Sequence, residues 1–231
     1  DDYVAMNDVA MGMFRDELRV ARTEDQLAQA VDLRNRAYER HYPDGERRMQ
    51  IDELSDRAPN SLVLVAERKL DSRLIGTIRV ETGTLEPHPI EGLLPMDERF
   101  TESTIAYLSR LAIPPGRDSA LVKAALIKAL HRYCFAVQID WMIVAAVAPL
   151  DRQYLRIGFS DVYPDAQPRS MPFNAAIMAR ALAMNVTDAE RNAKTLSHPM
   201  YDFLFRTYCP DIEVFGSVAG VWTRPRLRAA A

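Results

Sequence analysis

Three arginines fall where a core-building pattern asks for apolar side chains. On the helix that periodicity predicts from about Glu24 to Arg40, Arg34 shares a face with Leu27, Ala30, Val31, Ala37 and Tyr38. On the predicted strand Leu74 to Thr82, alternation turns Arg79 and Glu81 to one side and Ile78 and Val80 to the other. On the run from Thr104 to Ile113, Arg110 alternates with Tyr107, Ser109 and Leu111 and shares a side with Leu108 and Ala112. An inward guanidinium needs an anion, and its planar fork of donors matches a carboxylate by two parallel bonds. That anion is either a bound carboxylate or one of the chain's own, since the polar stretch from His41 to Asn60 carries Asp44, Asp52, Glu53 and Asp56. For Arg34 a structural salt bridge or a side chain snorkelling to the helix edge competes. For Arg79 and Glu81 the competing reading is plain solvent.

A second chemical feature is the turn Pro114-Pro115-Gly116-Arg117-Asp118-Ser119. It stops a β-rich run and opens a helix whose apolar side is Val122, Leu126, Ala129, Leu130, Tyr133, Cys134 and Val137. A strand that ends in a turn and feeds a helix leaves unpaired N–H groups beside the strand's end, a place for a phosphate.

Around these residues the predicted elements follow in order. They are a strand at Glu17–Ala21, the arginine-bearing helix, two strands (Ser61–Glu67 and Leu74–Thr82) joined by a polar turn, and the Thr104–Ile113 strand. Then come the helix from Ser119, a continuously apolar strand Trp141–Val147, a short helix Leu150–Arg156 ended by Gly158, and a strand from Phe159 toward Tyr163. Beyond Pro164 lie an apolar run, Phe173–Met184, read either as a core element or as the lining of a groove, and a helix opened by a capping box, Thr187 to Glu190. The tail is aromatic and basic.

The 231 residues, 48% of them hydrophobic, suffice for a full core, and a net charge of −3 gives no bulk argument for nucleic acid or membrane. No run reaches the roughly 20 apolar residues a spanning helix needs, and no signal peptide is evident, so a cytoplasmic location is expected. Cys134 and Cys209 read as buried or free thiols, and no zinc-type spacing is present.

The element order, with Gln153-Tyr154 through Gly158-Phe159 after the fifth strand, resembles the GNAT acyltransferase superfamily. The segments LRNRAY, IGTIRV and YLSRLAI are similar to those of acyl-homoserine lactone synthases and their relatives, the long-chain N-acyl amino acid synthases, over about Arg19 to Asp165. Arg34, Tyr38, Arg79, Ser109 and Arg110 fall on matched positions. The chain departs from the lactone synthases at Tyr107, where they carry a glutamate, and Asp52 and Asp56 match their aspartate pair only loosely. Its turn offers one glycine, where CoA-using members have a glycine-rich loop.

The resemblance implies an α/β fold with a mixed, mostly antiparallel central sheet flanked by helices. We expect residues 1–165 to form the acyltransferase core and 166–231 a C-terminal extension packed on the same domain. It implies an N-acyltransferase moving a long acyl chain from an acyl carrier protein thioester to an amino acid, a metal-free reaction. A sparse turn serves one phosphodiester better than a pyrophosphate, so phosphopantetheine on a carrier protein is the expected donor, with acyl-CoA as the alternative. Backbone groups at Leu111, Ala112 and Ile113 would polarise the thioester, and Arg117 and Ser119 would meet the phosphate. Tyr154 would protonate the departing thiolate unless it is simply a buried tyrosine. Glu81 is the first candidate for general base, with Asp52 or a water chain as the alternative. Arg34, Tyr38, Arg79, Arg110, Asp52 and Asp56 would form the acceptor side. Arg117, Lys123, Lys128 and Arg132 would offer a basic surface to the acidic carrier, or be an ordinary solvated face. A CoA-dependent N-acetyltransferase, a homoserine lactone synthase and a non-catalytic acyl-binding module stay open as alternatives.

Overall fold

A computed structural model describes residues 16–39, 53–83, 88–95, 98–172 and 174–215. Strand β1 (Glu17–Val20) leads into helix α1 (Glu24–Glu39), and the join is fixed locally. The Thr23 hydroxyl accepts from the Gln26 N–H at 3.1 Å, while the Gln26 side chain accepts from the Thr23 N–H at 3.3 Å, the reciprocal pair of a capping box. There follow α2 (Glu53–Asp56), β2 (Ser61–Glu67), β3 (Leu74–Thr82), a 3-10 turn (Pro89–Leu93), α3 (Glu98–Thr101), β4 (Ile105–Ala112) and α4 (Ser119–Ala136). The chain continues through β5 (Trp141–Ala146), α5 (Leu150–Ile157), β6 (Ser160–Asp161), β7 (Arg169–Met171), β8 (Asn174–Asn185), α6 (Ala189–Thr195), a π turn (Asp202–Arg206) and β9 (Ile212–Glu213).

The strands form one sheet in the order β6-β8-β5-β4-β3-β2-β1-β9, with β7 on β8. Among the described residues only β4–β5 and β1–β9 pair in parallel. This is the mixed, mostly antiparallel sheet expected. Helix α4 covers one face, where Val122, Leu126 and Leu130 join Leu64, Ile78, Val80, Leu108 and Met142 in a core. On the other face α1 covers β2 to β4 through Ala30, Leu33, Val63, Val65 and Ala112. Ile90, Leu93 and Phe100 close the rest of that face against Tyr107, Ile143 and alternate alanines of β8. The β2 strand is buried from Leu62 to Glu67, which explains why its sequence is apolar without alternation. Helix α4 comes so close to β3 that a Cβ on Gly76 would lie 2.6 Å from Val122 Cγ1. Gly158 ends α5 with φ 111°, a conformation glycine adopts without strain.

Several expectations change. In the expected C-terminal extension, β8 (Asn174–Asn185) is a core element of the sheet and pairs along the length of β5. The capping box at Thr187 does not form. Asn185 Oδ1 takes the Thr187 hydroxyl at 2.9 Å and the Asp188 N–H at 3.0 Å, and α6 begins at Ala189 with no side-chain cap. Lys128 is no surface cation: it is buried and donates to the carbonyls of Phe203 and of Thr207, the latter at 2.6 Å. Arg132 likewise reaches the Ile212 carbonyl at 3.3 Å. Of the four basic residues, Lys128 and Arg132 thus hold the C-terminal segment, Lys123 donates to Gln153 Oε1 of α5, and Arg117 is exposed. Among the described residues no helix is long and apolar enough to cross a membrane.

Candidate active site

The sheet itself opens a cleft. β4 and β5 run in register from Ile105↔Trp141 to Leu108↔Val144. Both strands then continue, β4 to Ala112 on β3 and β5 to Ala146 on β8, but among the described residues they no longer pair with each other. Backbone groups of Ser109 to Ala112 on that side face a wedge rather than a ladder partner, the kind of site that receives a carbonyl oxygen. Leu111 and Ile113 pack toward the α4 core, and Ala112 is buried on the α1 side.

At the mouth of the wedge β4 carries one residue more than β3. Arg79 pairs with Ser109 but Thr77 pairs with Ala112, so Arg110 and Leu111 together oppose Ile78. Arg110 takes φ 58°, a left-handed conformation uncommon for a residue with a side chain. The bulge reverses alternation: Leu108 lies in the α4 core and Ala112 in the α1 core. The expectation that Arg110 shares a side with both is therefore corrected. It works on the α1 side, where its charge acts on Glu81.

There the expected residues meet. Arg34 Nη1 donates to Asp56 Oδ2 at 2.5 Å, and both side chains are almost wholly buried (0% and 1% exposed). Arg79 Nη1 lies 3.5 Å from Asp56 Oδ1, and Arg79 Nε donates to Ser109 Oγ at 3.1 Å and lies 3.3 Å from Glu81 Oε2. Arg34 Nε and Nη2, Arg79 Nη1 and Asp56 Oδ1 are buried with no hydrogen bond among the described residues. Burial raises the Glu81 pKa, but the hydrogen bond from His88 and the charges of Arg79 and Arg110 outweigh it and hold Glu81 below the usual carboxylate range.

His88 and Glu91 enter this site unannounced by the sequence reading. His88 Nε2 lies 3.3 Å from Glu81 Oε2, and its ring stacks on Tyr107 with centroids 4.2 Å apart and planes 1° from parallel. The Tyr107 phenol donates to Glu91 Oε1 at 2.8 Å. The available signal was His88 immediately before Pro89, a cap residue followed by proline at the first helical position.

The remaining expected residues are placed as follows. Tyr154 is buried in the α4 core, edge-on to Phe159 at 5.3 Å. Arg117 is exposed and Ser119 half-buried at the start of α4, where Asp118 stands at the cap without a capping bond. Gly116 has open space around the position of a Cβ. Tyr38 lies in α1, its side chain outside the description, and Asp52 lies outside the described residues. Among the described residues no cluster of His, Cys, Asp and Glu could hold a metal.

A mixed, mostly antiparallel sheet parted between β4 and β5, with a bulged β4, is the architecture of a GNAT-like acyltransferase. The family model for N-acyl amino acid synthase FeeM matches residues 29–185, and the chain belongs to that family. Solved structures agree on the fold. FeeM, an N-acyl amino acid synthase from uncultured soil microbes, aligns with a TM-score of 0.66 and 15% identity over 79% of this chain and 97% of that one. BjaI, a CoA-dependent acyl-homoserine lactone synthase solved with SAM and isopentyl-CoA, aligns at 0.54 and 18% over 80% and 90%. LasI, an acyl-homoserine lactone synthase, aligns at 0.53 and 18% over 74% and 91%. No curated protein matches the chain.

Proposed function

We propose that this acyltransferase joins a long acyl chain, delivered as a carrier-protein thioester, to the amine of an amino acid. The observation that carries the reading is the Nε/Nη2 edge of Arg34, buried and without a hydrogen-bond partner among the described residues, on a guanidinium whose other corner shares Asp56 with Arg79. That edge presents two parallel N–H groups, the geometry a carboxylate accepts. An amino acid brings that carboxylate and, one carbon away, the amine. Arg34 is fully buried, so an acceptor reaches the edge by local opening of the protein around it.

In this reading the ammonium gives a proton to Glu81, and the free amine attacks the thioester carbonyl held in the β4–β5 wedge. A C–N bond forms and negative charge collects on the oxygen, opposite the unladdered N–H groups beyond Leu108. The C–S bond then breaks, the thiolate takes a proton from Tyr154, and the second proton leaving nitrogen restores the tyrosine by way of solvent. Products are an amide and a thiol, with one proton released. A turn with one glycine and Asp118 at its cap favours a single phosphodiester over CoA's pyrophosphate.

The deciding experiment offers the protein dodecanoyl carrier-protein thioester, dodecanoyl-CoA or acetyl-CoA, each with a mixture of amino acids, and weighs the products. Dodecanoyl amino acid from the carrier thioester is expected. Transfer from acetyl-CoA alone would replace the reading with an N-acetyltransferase, and acyl binding without turnover with an acyl-binding module.

A further inference from the structure

We propose that His88 is the positioning residue of Glu81, a fixed N–H donor that holds one carboxylate oxygen so that the other faces the acceptor amine. The inference rests on the reading of Glu81 as general base. Its basis is the tautomer. His88 caps the 3-10 turn, and its Nδ1 accepts the Ile90 N–H at 3.2 Å. A nitrogen that accepts carries no proton, so the hydrogen of the neutral ring sits on Nε2, 3.3 Å from Glu81 Oε2.

The ring plane is equally determined. It stacks on Tyr107, itself anchored through its phenol to Glu91 in the same turn. His88 has no nitrogen with which to take a proton from a substrate without breaking its cap, so it acts through Glu81. Oε2 of that carboxylate is shared by His88 and Arg79 Nε. The charged groups facing Glu81 are Arg79 on β3 and Arg110 on β4, with Asp56 reached through Arg79; the titratable His88 stands before the turn and the neutral Ser61 lies opposite on β2. The two cations and the N–H donor favour the ionised form, and the resulting low basicity is offset by orientation.

Two substitutions separate the roles of the ring nitrogens. His88→Asn keeps a short acceptor for the cap but cannot reach Glu81; His88→Gln reaches Glu81 with an N–H. With dodecanoyl carrier-protein or dodecanoyl-CoA thioester as donor and thiol release as the readout, H88N is expected to lower kcat on the order of 10- to 100-fold with little change in the acceptor KM. It should also move the acid limb of the pH profile upward. H88Q should recover most of the rate. A purely structural cap predicts the reverse order, with H88N like wild type, and that result overturns the inference. Glu81→Gln is measured alongside. If E81Q is inactive while H88N is unaffected, only the His88 inference falls; if E81Q keeps its rate and acid limb, the base assignment falls and takes the inference with it. Independently of turnover, the imidazole 15N spectrum, assigned by its loss in H88N, should show a proton on Nε2 alone. A neutral ring protonated at Nδ1 would overturn the proposal.

Discussion

Arg34 and Asp56 meet at 2.5 Å beneath the surface, and the pair occupies one corner of the guanidinium while its Nε/Nη2 edge makes no hydrogen bond among the described residues. Breaking such a pair leaves a buried charge, which costs more than the pair itself contributes. Asp56→Ala should therefore lose about 3–5 kcal/mol in urea unfolding. An Arg34→Met, Asp56→Leu double variant should recover most of that stability and still fail to bind the acceptor. Equal acceptor KM in the double variant and wild type would remove Arg34 from the acceptor site.

The bulge at Arg110 sets stability against function. A left-handed residue with a side chain carries strain of about 1–2 kcal/mol that glycine does not. Arg110→Gly is expected to raise the melting temperature relative to Arg110→Ala, while both raise the acceptor KM. Identical melting temperatures would show that the φ of 58° stores no strain.

Alkaline stability should report on Tyr133. Burial, with the adjacent Cys134 thiol, pushes its pKa up from 10.0 to about 12, against a hydrogen bond with Thr82 that lowers it. The folded pKa exceeds the unfolded one, so the folded state holds the proton longer. That contribution is full below pH 10 and is lost as pH rises through about 12. Tyr133→Phe should flatten the loss between these values by about 2–3 kcal/mol, measured by urea unfolding at each pH. Cys134, also raised by burial, remains to give a residual slope.

Gly76 tests how closely α4 packs on the sheet. A Cβ there would lie 2.6 Å from Val122 Cγ1 and 3.2 Å from Leu126 Cδ1. Gly76→Ala should cost about 1–3 kcal/mol, as overpacking does. Adding Val122→Ala should restore part of it, and additive losses would mean that the two residues do not touch.

What the sequence determined by itself is what periodicity can carry. The element order, the αL end of α5 at Gly158 and the common face of Arg79 and Glu81 follow from local spacing and glycine chemistry, and Arg79 and Glu81 do lie 3.3 Å apart. Motif similarity pointed to the family, because its segments sit on the elements that build the wedge and the arginine cluster. What only the tertiary structure decided depends on partners distant in the chain. Arg110 changed sides because one extra residue opposite Ile78 reverses alternation, and a bulge is a property of two strands. Lys128 read as a surface cation until the segment through Phe203 and Thr207 covered it with carbonyls. β8 became part of the sheet because β5 needed a second neighbour, which its continuous apolarity implied without saying which segment supplies it. His88 joined the site only because stacking on Tyr107 and the cap at Ile90 fix its ring beside Glu81.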